Sequence, residues 1–296
     1  MGLTPRRASV RAEAYAKVNL GLEALGRRPD GYHDVVTVLH TIDLSDAMEI
    51  GLAEGISVHC SVPHLSGPEN LAYKSALALK EKAGYKKGAK IFIEKRIPEA
   101  MGLGGGSSDA AAALVALNRL WGLGLIEEQL CEIAASIGSD VPFFVKGGAA
   151  LGEGRGEVLT PLPSLEEQAL VMVCPEISIQ GKTGRLYSML KPSAYTDGHA
   201  TRSFADALGR GRFSPHLIFN VFEQVAFDAF PGLDAVMRGM EEAGAGTVSL
   251  SGSGPALFSL VDNRIAARRM ADKLRGMGLR AYSLTTVAKS PVLTLP

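Results

Sequence analysis

Cysteine is scarce in this sequence: Cys60, Cys131 and Cys174 are the three in 296 residues, far apart and odd in number. Without a C-x-x-C pair they exclude a disulfide framework and a zinc ribbon, and a reducing compartment is the expectation. Aromatic residues amount to 6%, with a single tryptophan. Surplus charge is lacking as well, since 31 basic residues balance 31 acidic ones. A general nucleic-acid binder needs excess cations for counterion release, so that class is set aside; a small anionic ligand needs only a few local donors. No apolar run approaches the roughly 18 residues of a membrane span. Arg6, Arg7 and Arg11 precede no apolar segment, so the expectation is a cytoplasmic protein with neither a secretory signal nor a membrane partner. Nothing in the sequence specifies an oligomeric state.

Several familiar motifs are absent too. A dinucleotide fingerprint starting at Gly102 would place its third glycine on Ser107. A Walker A loop needs a lysine after its glycines; Gly181-Lys182-Thr183 imitates the tail, but Glu176 stands where the first glycine belongs. Around Ser253 a nucleophile elbow fails at Ser251, and no H-E-x-x-H occurs. His40, His59, His64, His199 and His216 show no metal-ligand spacing, and no metal-binding residue is assigned.

Glycine is what the chain has in abundance, 34 residues, well above the roughly 7% of average proteins. Alternation predicts strands at 10–25, 35–42, 48–52, 56–62 and 89–95, with a helix at 70–83. Strands gathered ahead of helices indicate an α+β class rather than a doubly wound sheet. Helices follow at 109–121, capped by Ser107 or Ser108 with Gly122 beyond its end, and at 127–137, closed by Gly138. Pro161 and Pro163 mark a boundary between domains at 1–160 and 161–296. Beyond it come a strand at 169–174, a helix at 233–243, two strands within 248–261 joined at a glycine-serine turn, a basic amphipathic helix at 264–276 and a last strand at 281–288, which could return to the first domain.

Gly102, Gly104, Gly105 and Gly106 fall within five positions, directly before the 109–121 helix. Glycine lets backbone N–H groups approach a ligand closely, and a helix N-terminus adds unpaired donors and the positive end of its dipole. That combination suits a phosphate. Lys17, in a predicted strand, is either a solvated edge residue or a buried cation awaiting an anion. Asp140, entering the apolar 141–145 run, is either a helix cap or a general base.

These residues resemble the GHMP kinases, the superfamily of galactokinase, homoserine kinase and mevalonate kinase. Its phosphate loop reads P-x-x-x-G-L-G-S-S-A-A, and Pro98-Glu-Ala-Met-Gly-Leu-Gly104 matches it. Gly105 and Gly106 stand where the family has two serines, which arrive here as Ser107 and Ser108. That triple-glycine form, with Ala16-Lys17-Val-Asn19-Leu20, Asp30-Gly-Tyr-His33, Gly138-Ser-Asp140-Val-Pro-Phe-Phe144 and Leu250-Ser-Gly-Ser-Gly-Pro255, is similar to one branch of the superfamily. The resemblance implies a two-domain GHMP kinase fold, an N-terminal ribosomal protein S5 domain 2-like domain followed by a C-terminal α/β domain. It implies phosphorylation of the 2-hydroxyl of 4-diphosphocytidyl-2-C-methyl-D-erythritol, using ATP and Mg2+, in the non-mevalonate route to isoprenoid precursors. On matching positions Asp140 is the base and Lys17 its catalytic partner. ATP is held by Pro98, Glu99, Ala100, Met101, Gly102, Leu103, Gly104, Gly105, Gly106, Ser107, Ser108 and Asn70. Asn19 supports the acceptor, and Tyr32, His33 and Tyr187 lie at the cytosine. The rival expectations are another kinase of the superfamily, acting on homoserine, mevalonate or a sugar, and a non-catalytic ATP sensor.

Overall fold

A computed structural model describes residues 9–165, 167–177, 179–288 and 292–294. The first half runs β1 (Ser9–Arg27), β2 (His33–Ala53), β3 (Ser57–Cys60), α1 (Leu71–Ala83), β4 (Gly88–Glu94), α2 (Gly105–Leu120), α3 (Glu127–Ile137), α4 (Val141–Lys146), β5 (Ala149–Glu153) and β6 (Val158–Leu162). The second runs β7 (Ala169–Val173), α5 (Lys182–Met189), α6 (His199–Gly209), β8 (Phe219–Asn220), α7 (Glu223–Ala229), α8 (Leu233–Glu242), β9 (Ser249–Leu250), β10 (Leu257–Leu260), α9 (Arg264–Gly276), β11 (Ala281–Thr285) and β12 (Val292–Thr294). Among the described residues no helix is long and apolar enough to cross a membrane.

A larger sheet is ordered β12-β1-β2-β4-β3, with β5 also on β2, β6 on β5, and β8 parallel to β1. The smaller antiparallel sheet is ordered β11-β7-β10-β9. β1 alternates buried and partly exposed residues at its start, then is buried on both faces from Ala16 to Ala24. That change follows from its surroundings: helices cover one side and the second half of the chain covers the other. Ala110 to Ala113 are all buried and let α2 pack closely beneath the larger sheet with α1, α3 and α4. A second core fills the smaller sheet and its helices, and a third joins the two through Ala16, Val18, Leu20, Leu103, Met172, Phe204 and Phe258.

Several expectations are revised. Residues 48–52 continue β2 rather than forming a strand of their own. α2 begins at Gly105 with Gly104 as its cap, ahead of the expected serines. Ser108 is free of the capping role because its hydroxyl donates to the Tyr15 carbonyl at 2.6 Å. The strand expected at 281–288 stops at Thr285, and β12 follows it to pair with β1.

Candidate active site

One cleft of about 680 Å³ lies where the two sheets and α2 converge. β1 supplies its floor. Register shifts at Tyr15/Ala16 and Asn19/Gly21 bracket Lys17 and Asn19, and such bulges re-aim side chains. Lys17 donates its ammonium to Asn19 Oδ1. Asn19 Nδ2 in turn donates to Thr37 Oγ1 at 2.8 Å, and that hydroxyl donates to the Gly21 carbonyl at 2.7 Å. Lys17 is 4% exposed in a central strand, so the edge-residue reading is wrong. Burial pulls its pKa below the usual lysine value, and the charge of Asp140 opposes the fall. Asp140 stands at the N-cap position of α4, yet its side chain makes no capping bond. The carboxylate is therefore uncommitted and borders the cleft.

The phosphate-type loop forms a second wall. Gly102 has φ +80, and a Cβ there would strike the Ser251 carbonyl oxygen. Gly104 has φ +71, and its Cβ would lie 2.5 Å from the Phe144 ring. Those two glycines thus serve close packing against the β9–β10 turn and α4. Ser251 Oγ donates to the Gly102 carbonyl at 3.1 Å, and the Lys17 amide donates to the Leu103 carbonyl at 3.1 Å. Gly105 and Gly106 open α2, where first-turn amides have no helical acceptor and the dipole is positive. Asn70 borders the same cleft while capping α1, accepting from the Ala72 amide at 2.8 Å.

At the far side His33 stacks on Tyr187, ring centroids 4.3 Å apart and planes 15° from parallel. His33 Nε2 lies 3.2 Å from the Tyr195 hydroxyl. Burial and the Arg27 charge push the His33 pKa below its usual value, favouring the neutral ring. Tyr32 is exposed, with the Arg155 guanidinium 5.0 Å from its ring centre.

Every anticipated site residue therefore borders this cleft except Ser108, which is buried and bound to Tyr15. Its expected contact with ATP is corrected on that ground. The sequence reading missed Thr37, Lys95, Asp109, Arg155, Lys182 and Phe222. Lys95 joins Asp46 and Asp109 beneath the loop, and Asp46 Oδ1 accepts from the Ile97 amide at 2.8 Å, pinning the loop's start. Burial raises the Asp109 pKa against the pull of Lys95. Among the described residues no cluster of three metal-binding side chains occurs, and Asp109 Oδ1 is buried without a hydrogen-bond partner. That donor set fits a Mg2+ carried mainly by phosphate oxygens and water, as this reluctantly dehydrated ion prefers.

Comparison with known proteins agrees with this geometry. Residues 70–148 match the GHMP kinases N terminal domain and residues 199–278 the GHMP kinases C terminal model. The chain is similar to the 4-diphosphocytidyl-2-C-methyl-D-erythritol kinase of Dehalococcoides mccartyi, 39% identical over 93% of this chain and 97% of that one. It is 41% identical to the enzyme of the same name from Gloeobacter violaceus, over 90% and 91%. A crystal structure of 4-(cytidine 5'-diphospho)-2C-methyl-D-erythritol kinase superimposes with TM-score 0.80 at 38% identity, covering 93% of this chain and 98% of that one. Homoserine kinase from Cytophaga hutchinsonii shares the fold, with TM-score 0.76 at 19% identity over 99% and 100% of the chains. The chain is an ATP-dependent small-molecule kinase that belongs to the GHMP kinases and, within them, to the 4-diphosphocytidyl-2-C-methyl-D-erythritol kinase family.

Proposed function

We propose that this chain transfers the γ-phosphoryl group of ATP to the 2-hydroxyl of 4-diphosphocytidyl-2-C-methyl-D-erythritol, a step toward isoprenoid precursors by the non-mevalonate route. The observation that carries the reading is that Asp140, a carboxylate with no capping bond, and Lys17, a buried ammonium that feels its charge, border one cleft walled by the α2 N-terminus. ATP lies with its phosphates on the backbone of 98–107 and its adenine toward Asn70. Asp140 accepts the hydroxyl proton as that oxygen attacks the γ-phosphorus, and ADP departs. Lys17 draws the acceptor oxygen into line and offsets the charge on the phosphoryl oxygens, while Asn19 fixes Lys17 and supports the acceptor. Mg2+, carried mainly by phosphate oxygens and water, would supply neutralisation of the phosphate charge. The aromatic surfaces of Tyr32, His33 and Tyr187 suit a planar base, and a neutral His33 can donate and accept hydrogen bonds at its edge.

ADP release with Mg-ATP and a panel of acceptors tests the assignment: the diphosphocytidyl compound, homoserine, mevalonate and galactose. Turnover is expected with the first alone. Asp140→Asn is expected to lower kcat by about 10²–10⁴-fold, the usual worth of a positioned general base, with ATP affinity retained. Turnover on a different acceptor, or an Asp140→Asn enzyme as fast as the wild type, overturns the corresponding part of the reading.

A further inference from the structure

Lys182 has no part in the scheme above, yet it borders the same cleft. It is the first residue of α5, and its ammonium donates to the Gly254 carbonyl. An ammonium carries three donors, so two remain for a ligand. Among the described residues no carboxylate forms an ion pair with it. Burial, then the neighbouring charge of Lys17, brings its pKa down to about 7. Two lysines that repel each other in a partly desolvated cleft are unfavourable as they stand, and an anion with several oxygens relieves both costs.

The position of Lys182 is also held from several sides. Thr183 Oγ1 lies 2.9 Å from Ser253 Oγ, which with the Lys182–Gly254 bond ties the start of α5 to the 252–254 turn. That turn packs on the phosphate loop, since Ser251 donates to the Gly102 carbonyl. It also approaches the reaction centre, because a Cβ on Gly252 would lie 2.9 Å from Lys17 Nζ. A cation fixed to this turn borders the same cleft as the α2 N-terminus.

We propose that Lys182 is a second catalytic cation, binding a phosphate oxygen of the reacting ligands together with Lys17. This rests on the kinase reading above. Two groups offer the required oxygens: the phosphoryl group in transit and the diphosphate of the acceptor. Lys182 keeps its proton throughout and forms no covalent bond.

The test compares full-length wild type, Lys182→Gln and Lys182→Arg by steady-state kinetics and by calorimetric binding of the acceptor in the absence of ATP. Lys182→Gln is expected to lose at least about tenfold in kcat/KM, and Lys182→Arg, which keeps the charge, to recover most of it. A fall in kcat with unchanged acceptor affinity assigns Lys182 to the phosphoryl group in transit. Weakened acceptor binding with kcat preserved at saturation assigns it to the diphosphate. Native kinetics and binding in Lys182→Gln overturn the proposal, as do equal losses in both variants, which indicate a need for shape rather than charge. A wild-type enzyme that fails to turn over the diphosphocytidyl acceptor instead defeats the functional reading, a result visible before any variant is compared.

Discussion

Two ammonium groups in one cleft tie the chemistry to pH. The charged or titratable groups that line the cleft with Lys182 are Lys17, Tyr32, His33, Glu69, Lys95, Glu99, Asp109, Asp140, Arg155 and Tyr187, and the charge that acts on it is that of Lys17. With a pKa near 7, Lys182 in the free enzyme loses its charge as pH rises through neutrality. The kcat/KM for the acceptor is therefore expected to decline above about pH 7, and Lys182→Arg, which does not titrate in this range, to abolish that part of the decline. A pH–rate profile of both proteins from pH 6 to 9 checks it; an unchanged alkaline limb in the variant removes Lys182 as its source. Its effect on stability runs in the opposite direction. The unfolded chain, with an ordinary lysine near 10.4, holds the proton that the folded one has released, so this group's contribution to stability rises with pH between about 7 and 10. At this scale the sequence reveals types better than surroundings. Asp140 and Lys17 stand out as charges beside apolar residues, but their context alone leaves Asp140 a cap or a base and Lys17 an edge residue or a buried cation; the family resemblance is what singles out their roles. Lys182 is not: its neighbours Gly254 and Lys17 lie 72 and 165 positions away, and only folding unites them.

Between elements, the cleft depends on two glycine turns that interlock. The phosphate loop and the β9–β10 turn meet through the Ser251–Gly102 bond and through the Ala256 amide, which donates to the Met101 carbonyl at 3.3 Å. Gly102 combines a positive φ with a direct obstruction of any Cβ by the Ser251 carbonyl. Gly102→Ala is accordingly expected to cost more than about 1 kcal/mol of stability and to raise the KM for ATP, because the loop must withdraw from the turn. Thermal melts and ATP titrations measure both effects, and an unaffected variant would show that the interlock is dispensable. The glycine cluster points to an anion cradle, but the sequence pattern places the start of α2 too late. Gly105 and Gly106 have poor helix propensity, and tertiary packing of the alanine face behind them overrides it. α5 and α7 escape notice for a related reason: they are short, with Gly184 inside α5, and their apolar faces are completed only by packing.

Across the whole molecule the two halves share a core rather than merely touch. β1 is buried on both faces from Ala16 to Ala24, and β8 and β12 from the second half of the chain pair with it. Such pairings carry no local periodicity: the sequence indicates the α+β class and a last strand returning to the first domain, but assigns that strand to 281–288 instead of β12 and leaves β8 unread. They matter to catalysis because Lys17 belongs to the larger sheet, whereas Lys182 and the 252–254 turn belong to the other half. A shared core keeps the two sides of the cleft in register. Phe258 lies in that joining cluster, fully buried on β10. Phe258→Ala is expected to cost about 3–5 kcal/mol, as large-to-small changes in cores do. If the halves are bound as one cooperative unit, the variant melts in a single transition shifted downward, and activity disappears with it. Two separated transitions in calorimetry, with the first sparing the larger sheet, would instead mean that each half stands alone and that the cleft is held by its loops.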